Sequence, residues 1–133
     1  MSLLYQDLTS SILSAYYSVY RILSTRPGYS EENYARSLAV ELRQRGLAVQ
    51  EQVHITRRYR GRDIGSDFID LVVENKVVIE VKKWARIRPE HIRQTQTYLI
   101  DSGLAVGLVL NFGGQQPDFR RIYERSNDPE INK

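Results

Sequence analysis

The sequence of 133 residues has no cysteine and only two histidines. Without cysteine, a disulfide framework, a thiolate zinc site and a cysteine nucleophile are excluded. Two histidines are too few for a histidine-rich metal centre. A metal bound by this chain would therefore be held by carboxylates, which favours a hard ion such as Mg²⁺ or Mn²⁺. The lack of cysteine also makes the cytoplasm the expected location.

Long hydrophobic runs and low-complexity tracts are absent as well. No apolar run approaches the roughly 20 residues of a membrane span, and residues 1–7 lack the basic start of a signal peptide. We therefore expect no membrane association. The length and the 41% apolar fraction suit one globular domain, predicted over residues 1–125 with a flexible tail over residues 126–133. The small size of one subunit leaves a homodimer open.

Arginine dominates the positive charge, with 15 arginines against four lysines, a net charge of +3 and a pI near 9.3. Because the planar guanidinium pairs bidentately with phosphate, this composition mildly favours contact with nucleic acid. Four arginines within six residues lie around Tyr59 and a turn expected at Gly61, and we predict that they bind nucleic-acid phosphates: Arg57, Arg58, Arg60 and Arg62. The alternative is a solvated strand end whose arginines pair with nearby acids such as Asp63 or Asp67.

The periodicity of apolar residues predicts an α/β domain with a mixed sheet. Helices are expected over residues 3–24, 31–45 and 89–101, the second beginning after Ser30 and ending before Gly46. Strands are expected from residue 47 into the arginine segment and over residues 67–73, 77–82 and 104–112. A final helix is expected before the tail.

Two carboxylates interrupt the apolar strands that precede and follow residues 74–76. If residues 74–76 form a three-residue loop, Val73 pairs with Val77, and Asp70 lies opposite Glu80 on the same face. Cβ atoms of opposed residues are about 4.5–5.5 Å apart, so the two carboxylates could share one divalent ion. A two-residue loop would instead place them on opposite faces. Such charges are common at strand ends, but here unpaired burial would cost several kcal/mol.

Five further side chains are candidates for the same site. Lys82 shares the face of Glu80, about 6.8 Å along the strand, where its ammonium could hold an attacking water or stabilise a phosphate. Glu31 lies on the apolar stripe of the second helix, so it either points at the sheet or pairs with the helix N-terminus. In the third helix His91, Gln94 and Tyr98 share one polar face, which indicates a wet cleft or a solvated surface.

Residues 28–34 fit the Gly-x-x-Glu-x-x-Tyr signature of the GxxExxY proteins, a branch of the PD-(D/E)XK nuclease superfamily. Asp70 with Glu80-x-Lys82 resembles the D…ExK motif of that family, and Gln94-x-x-x-Tyr98 resembles its Q-x-x-x-Y motif. The resemblance extends over about residues 8–113. It implies a restriction-endonuclease-like αβββαβ core with a mixed sheet flanked by helices, here with an extra N-terminal helix. It also implies hydrolysis of phosphodiester bonds with Mg²⁺.

The sequence therefore predicts a Mg²⁺-dependent nuclease acting on nucleic acid, with DNA favoured. Asp70 and Glu80 are expected to hold the metal and Glu31 to orient or add a ligand. Lys82 is expected to position the nucleophile, Gln94 to bond the attacking water or a phosphate, and Tyr98 to lie beside it. The alternative is a binding module with a nuclease fold that keeps the charged cleft without turnover. A scaffold that binds a partner other than nucleic acid fits the arginines least.

Overall fold

The structure is a computed structural model that describes residues 3–132. Within these residues it has three α-helices, five strands and one short 3₁₀ helix. In chain order they are α1 (Gln6–Leu23), α2 (Glu31–Gln44), β1 (Val49–Tyr59), β2 (Arg62–Val73), β3 (Val77–Lys82), α3 (Pro89–Ser102), β4 (Val106–Asn111), β5 (Asp118–Tyr123) and η1 (Arg125–Asn127). None of the helices within residues 3–132 has the length and apolar character needed to cross a membrane.

The sheet is mixed, as predicted, and follows the order β1-β2-β3-β4-β5. β3 and β4 are parallel, and every other neighbouring pair is antiparallel. The α3 helix supplies the crossover that a parallel pair needs. Helices α1 and α2 pack on one face of the sheet through Ile12, Tyr16 and Leu38, while α3 covers the other face through Tyr98 and Leu99. These three layers give the α/β restriction-endonuclease-like fold.

The start of α2 is defined by the predicted cap. The Ser30 hydroxyl accepts a hydrogen bond from the Asn33 backbone N–H at 3.1 Å, and the Asn33 side chain accepts one from the Ser30 N–H at 3.0 Å. These reciprocal bonds satisfy two donors that a helix N-terminus leaves open. The cap therefore places Glu31 in the first turn, at the end of α2 that faces the sheet segment after β3.

The predicted final helix is wrong, because residues 118–123 form strand β5. This strand pairs antiparallel with β4 from Val106–Tyr123 to Asn111–Asp118. β4 is buried along its whole length, so its outer backbone groups would lack partners without a further strand. Phe119 packs in the cluster of α1 and α2 and Ile122 in that of α3, which is the alternation of a strand.

Asn127 and Asp128, at the start of the C-terminal segment, make hydrogen bonds to α3, to the segment before β4 and to β5. Asn127 donates hydrogen bonds to the carbonyls of Leu99 and Leu104, and Asp128 accepts one from the Tyr123 hydroxyl at 2.5 Å. The division into a domain over residues 1–125 and a flexible tail over residues 126–133 stays a prediction, and Lys133 lies outside the described residues.

The sheet opens between β2 and β3. Pairing of these strands consists of Val73–Val77, Val72–Val78 and Leu71–Ile79, which confirms the predicted three-residue loop. Beyond Leu71, β2 continues with β1 as a long hairpin, while β3 continues with β4 as far as Lys82–Asn111. The two arms therefore diverge. We call the space between them the fork; one arm is the hairpin over residues 53–69 and the other is formed by residues 80–84 and 109–113.

Candidate active site

Asp70 and Glu80 lie together at the base of the fork. The Asp70 backbone N–H donates to Glu80 Oε1 at 3.2 Å, and the Val81 N–H donates to Asp70 Oδ2 at 2.9 Å. Each carboxylate thus accepts a backbone hydrogen bond at the point where the β2–β3 ladder ends. The predicted register requires this proximity, and the structure brings the two side chains together.

β2 changes its orientation at Asp70. Leu71 packs in the cluster of α1 and α2, whereas Ile69 packs in the cluster of α3. Residues two apart on a regular strand share a face, so the strand must twist between them. Opposite this point Gln52 adopts the left-handed φ of 50°, and the β1–β2 pairing passes from Glu51–Leu71 to Val53–Ile69.

Gln52 is a site residue that the sequence did not reveal. Its side chain interacts with the Asp70 carboxyl and lowers the pKa of that group. It also lines a cavity of about 270 Å³ beside Asp70, together with residues of α2. Nothing in the sequence around Gln52 signals a left-handed backbone, since glycine and asparagine are the residues that usually adopt it.

The electrostatics of the site disfavour two ionised carboxylates. Burial, followed by the neighbouring charge of Asp70, raises the pKa of Glu80 to about 8, against the opposing effects of the hydrogen bond from the Asp70 N–H and the charge of Lys82. Burial also raises the pKa of Asp70, against hydrogen bonding from the Val81 N–H and the charge of Lys82. A divalent cation between the carboxylates would favour their ionised forms. The donor set therefore fits a hard metal ion.

The carboxylate set is small. Within residues 3–132 no group of three or more aspartate, glutamate or histidine side chains is arranged to hold a metal ion. Two carboxylates suffice for Mg²⁺, which usually keeps several waters and takes oxygens from a substrate phosphate. Glu31 Oε2 accepts a hydrogen bond from the Lys83 N–H at 2.8 Å, and its charge contributes to the raised pKa of Asp70. Glu31 thus lies near the pair, and its role as a ligand stays a prediction.

A row of hydrogen bonds connects the carboxylates to α3. Lys82 Nζ lies 3.9 Å from Glu80 Oε2 and donates to Gln94 Oε1 at 2.9 Å. Gln94 Nε2 donates to the Tyr98 hydroxyl at 2.9 Å, which in turn donates to Asp67 Oδ2 at 3.1 Å. Burial raises the pKa of Tyr98, so this phenol stays a donor at neutral pH. The polar face predicted for the third helix therefore lines the site.

The four arginines of the predicted phosphate-binding segment are not equivalent. Arg57 makes ion pairs with Asp67 at 3.1 Å and with Asp101 of α3 at 3.2 Å. The other three, Arg58, Arg60 and Arg62, are exposed and make no ion pair within residues 3–132. They surround the turn of the hairpin, where Arg60 and Gly61 both have positive φ. Pairing with a nearby acid, the alternative to phosphate binding, thus occurs at Arg57.

Comparisons with known proteins agree with this fold. The sequence model of one protein family, described as the PD-(D/E)XK nuclease superfamily, matches residues 6–122. A solved structure described as "Crystal structure of SSO0001" superimposes with a TM-score of 0.50 and 16% sequence identity, over 85% of this chain and 66% of that one. This chain therefore spans just under two thirds of the other protein, and the likeness supports the fold alone. No curated protein matches the sequence significantly.

Proposed function

Since the chain belongs to the PD-(D/E)XK nuclease superfamily, we propose that it is a metal-dependent nuclease that hydrolyses phosphodiester bonds of nucleic acid, DNA being favoured. The observation that carries this proposal is the pairing of Asp70 with Glu80 at the base of the fork, with the Lys82 ammonium 3.9 Å from Glu80. The spacing of Gly28, Glu31 and Tyr34 supports membership of the GxxExxY branch.

Asp70 and Glu80 are the proposed ligands of Mg²⁺ or Mn²⁺, with Glu31 as an additional or orienting group. Such an ion, when bound, supplies a more acidic water and neutralises charge on a phosphate. Asp70 and Glu80 are suited to hold it because a backbone hydrogen bond fixes one oxygen of each carboxylate. The energetic cost of placing two negative charges side by side is then offset by the cation.

Lys82 is the proposed group that positions the attacking water or stabilises negative charge on the phosphate. Its ammonium has two donors left after the bond to Gln94, and it is held on the side of Glu80 that faces α3. Gln94 orients the ammonium, and Tyr98 fixes the Gln94 amide by accepting from its Nε2. In this arrangement Gln94 can also bond a water or a phosphate oxygen beside Lys82.

Arg58, Arg60 and Arg62 are proposed to bind phosphates at the end of the hairpin, away from the reacting bond. Their exposure and lack of ion pairs within residues 3–132 support this role. Arg57 is better suited to tethering the hairpin to α3 through Asp101. A homodimer and a cytoplasmic location also stay predictions, the former testable by light scattering of the purified protein.

A binding module with a nuclease fold is the second candidate. The observation that favours it is the small carboxylate set, because within residues 3–132 no group of three or more aspartate, glutamate or histidine side chains is arranged to hold a metal ion. Such a module would bind nucleic acid without turnover. Tyr98 and Asp67 would then serve only to stabilise the polar cleft.

A cleavage assay separates the two candidates. Plasmid, single-stranded DNA, branched DNA and RNA are incubated with the protein in Mg²⁺, Mn²⁺ or EDTA. We expect cleavage in the presence of either metal, none in EDTA and none with Glu80→Gln. The matched control is Glu90→Gln, which changes an exposed carboxylate at the start of α3 and should cleave normally. Binding without cleavage by the wild-type protein would instead support the binding module.

A further inference from the structure

Two exposed aromatic side chains lie on opposite arms of the fork. Phe68 is 51% exposed and lies two residues before Asp70 on β2, whereas Trp84 is 46% exposed and follows Lys82 by two residues. A single exposed aromatic residue is ordinary on a protein surface. Here the placement is paired, because Phe68 and Trp84 each lie two residues along the chain from a proposed site residue, whereas the exposed Tyr59 of the hairpin arm lies at the far turn.

The Phe68 ring is held by a neighbour across the hairpin. His54 is its partner in the β1–β2 ladder, and the two ring centroids are 5.3 Å apart at an interplanar angle of 65°. Because the adjacent Ile69 is buried against α3, Phe68 projects from the opposite face of the hairpin. Both rings of the pair are exposed, so the hairpin presents an aromatic surface rather than burying one.

The Trp84 side chain is exposed, but hydrogen bonds and close packing fix the position of its backbone. The fully buried Asn111 accepts from the Trp84 N–H at 3.0 Å and donates to the Trp84 carbonyl at 2.9 Å. Gly113 packs so closely that a Cβ there would lie 2.4 Å from the Trp84 oxygen. The indole rests edge-on against His91, with centroids 4.8 Å apart. A buried amide thus fixes the position of an exposed ring.

The cations beside these rings complement a phosphate backbone. Arg86 lies two residues after Trp84 and makes no ion pair within residues 3–132. The same is true of three arginines on the hairpin arm: Arg58, Arg60 and Arg62. Aromatic rings interleaved with such cations are typical of surfaces that bind single strands, where bases stack on rings and phosphates meet cations. In a duplex the bases are already stacked on one another, and their faces are not available to protein side chains.

We propose that Phe68 and Trp84 stack on bases at the two sides of the phosphate in the fork, and that the substrate is therefore single-stranded or locally unpaired nucleic acid. The position of that phosphate rests on the proposed function, but the stacking does not require turnover. His54 and Asn111 are positioning residues, the first for the Phe68 ring and the second for the Trp84 backbone.

Trp84 is the sole tryptophan of the sequence, so its fluorescence reports directly on this site. A single-stranded DNA of about ten nucleotides, within the usual footprint of one small domain, is titrated into the wild-type protein in Ca²⁺ so that binding is read without cleavage. We expect the strand to quench the tryptophan emission on binding. The same sequence annealed into a duplex should quench little and bind more weakly.

Variants then test each ring by the anisotropy of a labelled strand. Phe68→Ala and Trp84→Ala should each weaken binding of the single strand by about 5- to 100-fold, as expected for the loss of one base–aromatic stack. Trp84→Phe keeps a ring and should restore most of the affinity, which separates stacking from a folding defect. The matched control is Tyr17→Ala on α1, which removes an aromatic ring of 40% exposure outside the fork and should bind normally.

The outcomes distinguish this inference from the nuclease proposal. Equal affinity for single strand and duplex, or unchanged binding by both alanine variants, overturns the stacking role even if the wild-type protein cleaves plasmid. Quenching by the single strand with loss of affinity in both variants supports the stacking role even if no substrate is cleaved. In that case the nuclease proposal fails and the binding module takes its place.

Discussion

Glu80 is an ionisable side chain with 4% exposure in β3, and its protonation should affect the stability of the protein. Burial, followed by the charge of Asp70, raises its pKa from 4.5 to about 8. Between these values the folded protein binds a proton that the unfolded chain does not. Without metal, the contribution of Glu80 to the free energy of unfolding should therefore be fully present below about pH 4.5 and be lost as pH rises to about 8, a decline of a few kcal/mol.

Urea denaturation in EDTA across this pH range measures the effect. Glu80→Gln should remove most of the decline and be more stable than wild type at pH 8. A smaller decline should remain, since the pKa of Asp70 is raised too. Glu90→Gln should keep the wild-type slope, because this exposed carboxylate lies outside the fork. Parallel curves for wild type and Glu80→Gln would show that Glu80 is not buried as an acid.

Lys82 should matter to catalysis more than to folding. Lys82→Ala removes the ammonium beside Glu80 and the bond to Gln94, but leaves both carboxylates in place. If the ammonium stabilises transition-state charge worth about 3 kcal/mol, single-turnover cleavage should slow by about 10²-fold or more. Lys76→Ala, in the loop before β3, is the control and should cleave at the wild-type rate. Unchanged cleavage by Lys82→Ala would remove Lys82 from the mechanism.

At the scale of elements, some of the site could be predicted because it depends on one short connection. Residues 74–76 form a three-residue loop between β2 and β3, which fixes the pairing of the two strands, and side chains alternate between the faces along each strand. The contact of Asp70 with Glu80 follows from that register. Strand β5 could not be predicted in this way, because four charged residues surround its two apolar ones and hide the alternation of a strand. Its backbone also pairs with the edge of β4, which would otherwise have no hydrogen-bond partners. That requirement arises only once the sheet exists.

The hairpin of β1 and β2 is the element expected to hold nucleic acid by charge. Arg58→Ala with Arg60→Ala should weaken binding of all sequences alike and flatten the plot of log affinity against log salt. Loss of two phosphate contacts should reduce its slope by roughly 1.5. Anisotropy in Ca²⁺ between low and moderate salt measures this.

Arg57→Ala provides the contrast within the same element. It breaks the ion pairs with Asp67 and Asp101 and should loosen the hairpin from α3. We expect the thermal midpoint to fall while the salt slope changes by less than in the double variant. If the variant with both Arg58→Ala and Arg60→Ala keeps the affinity and the salt slope of wild type, these arginines do not contact nucleic acid, which then binds elsewhere.

For the whole molecule, the order of helices and strands and the identity of the central charges follow from local patterns. The supporting contacts do not, since they join parts of the chain that only the tertiary fold brings together. Asp67 of β2 accepts a hydrogen bond from the Tyr98 hydroxyl of α3, and Asn111 of β4 accepts one from the Trp84 N–H. The left-handed Gln52 beside Asp70 likewise reflects the twist of the complete sheet. The sequence therefore predicts the candidate site residues more readily than the contacts that hold them in place.

Metal binding should stabilise the whole fold, because the carboxylates come together only when β2, β3 and the adjoining strands are in place. A ligand that binds the folded state alone raises its stability by RT ln(1 + [L]/Kd), or about 2.7 kcal/mol at a concentration 100 times Kd. Mn²⁺ or Mg²⁺ should therefore raise the melting temperature of the wild-type protein, and the shift should grow as pH rises and Glu80 ionises.

Differential scanning fluorimetry with increasing Mn²⁺ measures this shift, with EDTA as the reference. Glu80→Gln should abolish it, because the amide cannot supply a charged ligand, whereas Glu90→Gln should retain it. Glu31→Gln tests the third carboxylate, and a shift reduced but not lost would fit a group that orients the site from the first turn of α2. Equal shifts in wild type and Glu80→Gln would mean that the metal binds outside the fork and that the proposed site is wrong.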